Sequence, residues 1–178
     1  SLVDKDNIVT PDQNHIEYFG FQTSMLLSFI AGSFLSGIMN PRPVPWRLAP
    51  TYAPSFFVGA AFMLIAAVLS AAENTGRDHY FYFVALANGV QNGISSIYSA
   101  NLIRTTHLTG TSTDIGLFFA QYVRGNKTNL WKLQILVGLA LSFWSGGVVS
   151  FYAAKRFRSK SLLFNAGIFV LAGLLIVV

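Results

Sequence analysis

Five long runs of apolar residues, almost free of charge, constrain the fold of this chain more than any other feature. They extend from about Tyr18 to Met39, Tyr52 to Ala72, Tyr80 to Ile103, Leu130 to Ala154 and Ser161 to Val178. A helix needs about 20 consecutive apolar residues to cross the hydrocarbon core of a bilayer. We therefore predict an all-α fold, a polytopic transmembrane helical bundle with about five long spans.

The composition also indicates a lipid environment. Hydrophobic residues make up 53% of the 178 residues and charged residues only 11%, whereas soluble domains carry about 25% charged residues. The formal net charge is +5, and most of the basic residues lie in loops between the apolar runs. This distribution is typical of membrane topology signals. We therefore predict membrane lipids as partners and no binding to nucleic acid.

The sequence offers no set of residues for catalysis, metal binding or a cofactor. It contains no cysteine, and its three histidines, His15, His79 and His107, are scattered along the chain. The serines of the apolar runs, such as Ser28, have no nearby base that would activate them as nucleophiles. We predict that the protein is not an enzyme and has no catalytic residues, no metal and no cofactor.

The chain divides into a polar N-terminal segment, residues 1–17, and a single transmembrane domain, residues 18–178. The first segment carries four acidic residues and no apolar core, so it does not have the pattern of a signal peptide. Because the sequence starts at Ser1 rather than at a methionine, we expect further residues to precede it in the cell.

The stretch after the third apolar run is predicted to be irregular. Thr105 to Thr113 is rich in threonine and glycine, which favour extended or unusual backbone over helix. Thr113 or Asp114 is a suitable cap for a short helix from about Ile115 to Val123, which is too short to span a bilayer. The prediction is thus five spans plus one broken or short helix. Residues 73–79 are predicted to form a polar turn.

Two basic loops leave two topologies open. Arg42 and Arg47 lie between the first two runs, and Lys155 to Lys160 lies between the last two. If both loops face the inner side, residues 104–130 cross the membrane as an extended segment plus a half-helix. If residues 104–130 re-enter instead, the two basic loops face opposite sides, against the positive-inside tendency.

The first and fourth apolar runs resemble each other. Residues 27–29 and 141–143 both read Leu-Ser-Phe, and each triplet is followed by a glycine and a serine at the same spacing. The similarity suggests an internal repeat of the kind found in transporters, although apolar helices also resemble one another by chance. In either case small residues allow helices to approach closely. The predicted helix-packing residues are Gly32, Ser36, Gly89, Gly146 and Ser150.

The candidate ligand site combines the third run, which is the most polar of the five, with the irregular stretch after it. Irregular backbone at membrane depth needs protein or a water cavity around it, and transporters build central sites from such segments. Amides there can bind a ligand, and Asp114 offers a carboxylate for a proton or cation. The predicted ligand-binding residues are Gln91, Asn92, Thr105, Thr106, His107, Thr109, Gly110, Thr111 and Asp114.

The same residues also have a purely structural interpretation. Asn, Gln and Thr side chains inside membrane bundles often only join helices. Asp114 would then be a helix cap or the partner of Arg104, and His107 an interfacial residue. The residues alone leave both interpretations open.

Residues 85–116 resemble the YoaK-like family of multi-spanning membrane proteins. The resemblance rests on Ala87 to Asn92 (ANGVQN), on Thr105 to Thr111 (TTHLTGT), and on Asp114-Ile115-Gly116. It implies a protein of a bacterial inner membrane or an organelle membrane, which is presumed to transport something. The T-G-N segment that is usual in the first half of the family is not found in this sequence, and we expect it in the residues upstream of Ser1.

Two functions are predicted. The first is a small-solute or ion transporter with its site between the third run and residues 105–123. The alternative is an accessory or structural subunit of a larger membrane complex, respiratory or photosynthetic, since 15% of the residues are aromatic. The expected partners are therefore a small solute or ion, or a larger complex or homo-oligomer.

Overall fold

The computed structural model describes residues 11–72 and 79–177, and all regular structure in these ranges is helical. The all-α prediction is confirmed. Residues 73–78, which make up most of the predicted polar turn, lie outside the described ranges, as does most of the predicted polar N-terminal segment. The six α-helices are α1 (Pro11–Met39), α2 (Ala53–Ala72), α3 (Tyr80–Tyr98), α4 (Leu108–Val123), α5 (Leu130–Phe157) and α6 (Ser161–Val177).

Among the described residues, three helices rather than five are long and apolar enough to cross a membrane. They are Glu17–Met39 within α1, Pro50–Ala72 with α2, and Leu130–Phe157, which is α5. The amide and hydroxyl side chains of α3 lower its hydropathy, although it has 19 residues. The apolar α6 has 17 residues and is roughly 26 Å long at 1.5 Å per residue, somewhat short of the 30 Å core of a bilayer.

The predicted irregular backbone of Thr105 to Thr113 is wrong from Leu108 onward, because α4 begins there. Ser112 Oγ donates to the Leu108 carbonyl oxygen over 2.8 Å, and Thr113 Oγ1 donates to the Thr109 carbonyl oxygen over 3.1 Å. Hydroxyls that bond back four residues in this way are compatible with a helix. Asp114 therefore lies inside α4 and does not cap it.

Helix α3 is the covered centre of the bundle. Each of its residues from Tyr80 to Tyr98 is buried or half-buried, and it packs against both α1 and α2. Polar side chains are costly against lipid but acceptable where protein surrounds them. The burial of α3 therefore explains how the most polar run of the sequence can belong to a membrane protein.

Helices α1 and α3 run parallel and their backbones nearly touch. A methyl group added to Gly32 would collide with the carbonyl of Leu86, and one added to Gly89 would collide with the carbonyl of Phe29. Ser33 Oγ donates to the Gly89 carbonyl oxygen over 3.0 Å. Small residues are what permits such a close crossing of membrane helices.

The same crossing continues one turn further along both helices. A methyl group on Gly93 would lie 2.8 Å from the Cβ of Ser36, which is fully buried. Gly89 and Gly93 form a G-x-x-x-G spacing that faces the Gly32 and Ser36 pair of α1. Three of the five predicted packing residues thus lie in one interface.

Helices α2 and α6 pack antiparallel on the other side of α3. Phe169 of α6 fills the space over Gly59 of α2, and Phe57 of α2 lies against Gly173 of α6. The apolar cluster at this interface includes Ala87 of α3.

Helix α5 contrasts with α3, since its residues 141–152 are all exposed within the chain. Gly146 and Ser150 belong to this stretch, and a methyl group on Gly146 would meet no heavy atom. A packing role for these two residues stays a prediction, and it would require a partner surface outside the described residues.

Replacing Gly32 by alanine should destabilise the fold. We expect Gly32→Ala to lower the free energy of unfolding by about 1–3 kcal/mol, because the added methyl group must push α1 away from α3. Tryptophan fluorescence during thermal unfolding in detergent would measure the effect. The matched control is Gly37→Ala, also in α1, where a methyl group meets nothing. Equal melting temperatures for the two variants would contradict the close crossing.

Candidate functional site

The loop between α1 and α2 holds the end of α3 and the start of α5 together. Trp46 donates its backbone N–H to the Tyr98 carbonyl oxygen over 2.8 Å. Its ring lies 5.7 Å from the Tyr98 ring and 5.7 Å from the Trp131 ring. The segment between α3 and α5 therefore starts and finishes at the same end of the bundle.

This geometry decides between the two topologies. Arg42 and Arg47 flank Trp46 at this end, whereas the turn Arg158–Lys160 follows the far end of α5 and contacts α2. The interpretation in which residues 104–130 cross the membrane is wrong, since a crossing would put Tyr98 and Trp131 at opposite ends. The two basic loops lie at opposite ends of the bundle.

The chain reverses direction just after α3. Ala100 and Asn101 have φ angles of 51° and 66°, in the left-handed region that non-glycine residues seldom adopt. The buried Ser99 supports the reversal, because its Oγ donates to the Ser95 carbonyl oxygen and accepts the Ile103 N–H, each over 2.7 Å. Ser99 is not among the predicted site residues, because it lies within the third apolar run, which the sequence extends to Ile103, and the end of α3 at Tyr98 is visible only in the structure.

Asn92 of α3 binds the segment that follows the reversal. The hydroxyls of Thr105 and Thr106 both donate to Asn92 Oδ1, each over 3.3 Å. Asn92 lies six residues before Tyr98, which corresponds to roughly 9 Å along the axis of α3. Residues 99–107 are thus re-entrant, since the chain returns past the end of α3 to the level of Asn92. Three of the predicted site residues, Asn92, Thr105 and Thr106, meet there.

A polar cleft opens where α4 begins. Its volume is about 220 Å³. Of the predicted site residues, His107, Gly110, Thr111 and Asp114 line it. The cleft also includes three residues outside the predicted set, Asn101, Leu102 and Arg104.

Two of the predicted site residues lie elsewhere. Gln91 borders a separate, mainly apolar space of about 200 Å³ that also includes Tyr52 and Ile176. Thr109 is exposed on the first turn of α4. The predicted set therefore divides into a cleft group, an anchor group around Asn92, and these two residues.

Charges of both signs face the cleft. Arg104 presents a guanidinium and Asp114 a carboxylate, with the His107 ring between them in the sequence. The first turn of α4 starts at the cleft, so its free backbone N–H groups and the positive end of its dipole add to the field of Arg104. Over the described ranges, no three acidic or histidine side chains gather in a way that would hold a metal ion.

Comparison with known families identifies the family of this chain. A family described as proteins of unknown function, DUF1275, matches residues 8–176. The YoaK-like proteins are part of this family, so the resemblance predicted from residues 85–116 is confirmed as far as membership of the wider family. No curated protein and no solved structure matches the chain significantly.

The re-entrant geometry predicts which loops share a side of the membrane. Because the chain has no cysteine, the variants Val44→Cys, Asn126→Cys and Lys160→Cys each carry one reactive thiol. We expect a membrane-impermeant maleimide to label positions 44 and 126 from one side of sealed vesicles and position 160 only from the other. Permeabilised vesicles, in which all three should react, provide the control. Labelling of positions 126 and 160 from the same side would overturn the geometry.

Proposed function

This chain belongs to the DUF1275 family, and we propose that it acts as a membrane carrier for small polar solutes that bear an anionic group. The described residues form a helical bundle with three helices that can cross a membrane. That the protein transports a solute is our proposal, and it rests on the cleft at the start of α4.

The observation that carries the proposal is a charged cleft built on a re-entrant segment. Broken backbone is tolerated at membrane depth only where protein or water covers it. Secondary transporters use such breaks to direct helix N-termini at anionic solutes. Residues 99–107 enter the bundle to the level of Asn92, and Arg104 and Gly110 line the cleft that follows.

The size and the charge of the cleft suggest the class of solute. A volume of about 220 Å³ is below the range of about 300–1,000 Å³ that is typical for drug-sized ligands. Arg104 can bind a carboxylate or phosphate through two parallel hydrogen bonds. A small organic acid or inorganic phosphate fits both properties.

Asp114 is suited to couple transport to a cation. A carboxylate at membrane depth is costly unless it is paired or used. In the same cleft as Arg104, it would repel an anionic solute while ionised and release that repulsion when it binds a proton. Solute and proton would then enter together.

Removing the charge of Arg104 should abolish most of the uptake. In proteoliposomes containing the purified chain, we expect faster accumulation of labelled acetate, lactate or phosphate than in empty liposomes, and more under an inward proton gradient. Arg104→Gln should reduce uptake about 10- to 100-fold, the value of a hydrogen bond to a charged group. Asp114→Asn should remove the response to the gradient.

The matched control is Arg124→Gln at the opposite end of α4, which removes the same charge outside the cleft. Its uptake should stay within twofold of the unmodified protein. If uptake persists unchanged in both Arg104→Gln and Asp114→Asn, the cleft is not the transport site.

One observation favours the alternative function, an accessory subunit of a larger membrane complex. The exposed face of α5 combines Gly146, Gly147 and Ser150 with large aromatic side chains, and small residues of this kind suit contact with another helix. Sizing and mass spectrometry after extraction in mild detergent separate the two functions. Stoichiometric co-purification with a large complex supports the subunit, whereas a particle of this chain alone supports the carrier.

A further inference from the structure

A further concave space is formed by the proline-rich loop between α1 and α2. Its volume is about 430 Å³, and residues 39–52 alone supply its lining. It shares no residue with the cleft at the start of α4. The space therefore cannot be explained by the proposed carrier site.

The loop that lines this space is held in a defined shape. Four prolines, at positions 41, 43, 45 and 50, restrict its backbone. Trp46 is fixed by its hydrogen bond to Tyr98 and by ring contacts to Tyr98 and Trp131. A loop restrained at both the backbone and its central side chain loses little conformational freedom when a ligand binds.

Two side chains of the lining, Asn40 and Tyr52, are buried, being 6% and 2% exposed. The amide nitrogen of Asn40 donates to the Ser36 carbonyl oxygen and to Ser55 Oγ, and Tyr52 packs with Val90 and Ile94 of α3. The atoms Asn40 Oδ1 and Tyr52 Oη have no partner among the described residues and are closed to solvent. These two side chains therefore form a fixed wall of the space and connect it to the bundle.

Two cationic side chains lie at the loop space. Arg42 and Arg47 both line the space and are exposed to solvent. Guanidinium groups bind phosphate through paired hydrogen bonds. The exposed apolar side chains of Val44 and Leu48 lie in the same loop, and exposed tryptophans such as Trp46 are typical of the membrane–water interface.

We propose that this loop space binds the phosphate of an anionic phospholipid. Arg42 and Arg47 hold the phosphate, while Val44 and Leu48 lie among the first carbons of the acyl chains. Phosphatidylglycerol has the required chemistry.

Thermal unfolding of the purified full chain in detergent tests the proposal. The additives are phosphatidylglycerol, phosphatidylcholine and glycerol 3-phosphate, and tryptophan fluorescence follows unfolding. We expect phosphatidylglycerol to raise the melting temperature by several degrees and phosphatidylcholine to have little effect. An equal rise with glycerol 3-phosphate would overturn the lipid as the source and assign the site to a soluble phosphate.

Matched double variants separate this site from general charge attraction. Arg42→Gln with Arg47→Gln should weaken the apparent affinity for phosphatidylglycerol about tenfold or more. Lys155→Gln with Arg156→Gln removes the same two charges at the far end of α5 and should leave that affinity unchanged. Equal losses in the two double variants would overturn the site.

Discussion

The close contact between the backbones of α1 and α3 is the constraint on which the rest of the structure depends. With no Cβ at Gly32 and Gly89, the two helices approach until each glycine meets a backbone carbonyl of the other helix. At this distance Ser33 also bonds to the Gly89 carbonyl oxygen. Because lipid tails are as apolar as leucine, packing of this kind, rather than exclusion from water, is what joins helices in a membrane.

The site follows from that packing. With α1 on one side and α2 on the other, α3 is covered along its whole length, so it can carry Asn92 at depth without exposing an amide to lipid. Asn92 in turn gives the segment after α3 a polar partner inside the bundle. The cleft beside Arg104 and Asp114 lies where this segment turns into α4. Loosening of the glycine contact would therefore reach the cleft through Asn92.

The sequence predicts those features that depend on one run of residues at a time. The apolar runs indicate the helices, and the paired small residues indicate where α1 approaches another helix. The start of α4 was missed because threonine and glycine argue against helix on average, whereas the hydroxyls of Ser112 and Thr113 bond back to their own helix. Arg104 was considered only as a partner for Asp114, and the cleft that both residues line depends on the reversal at Ala100 and Asn101.

The topology could not be read from charge because each end of the bundle carries a basic cluster, and a single residue decides it. Trp46 contacts both Tyr98 and Trp131 while its own φ is 62°, a conformation that costs a bulky residue of order 1–3 kcal/mol and persists only where surrounding contacts enforce it. That strain is located in the loop that lines the proposed lipid site. The same residue is hydrogen-bonded to the end of α3, from which residues 99–107 lead to the cleft. Trp46 therefore connects the proposed lipid-binding loop to the helix end from which the segment leading to the cleft starts.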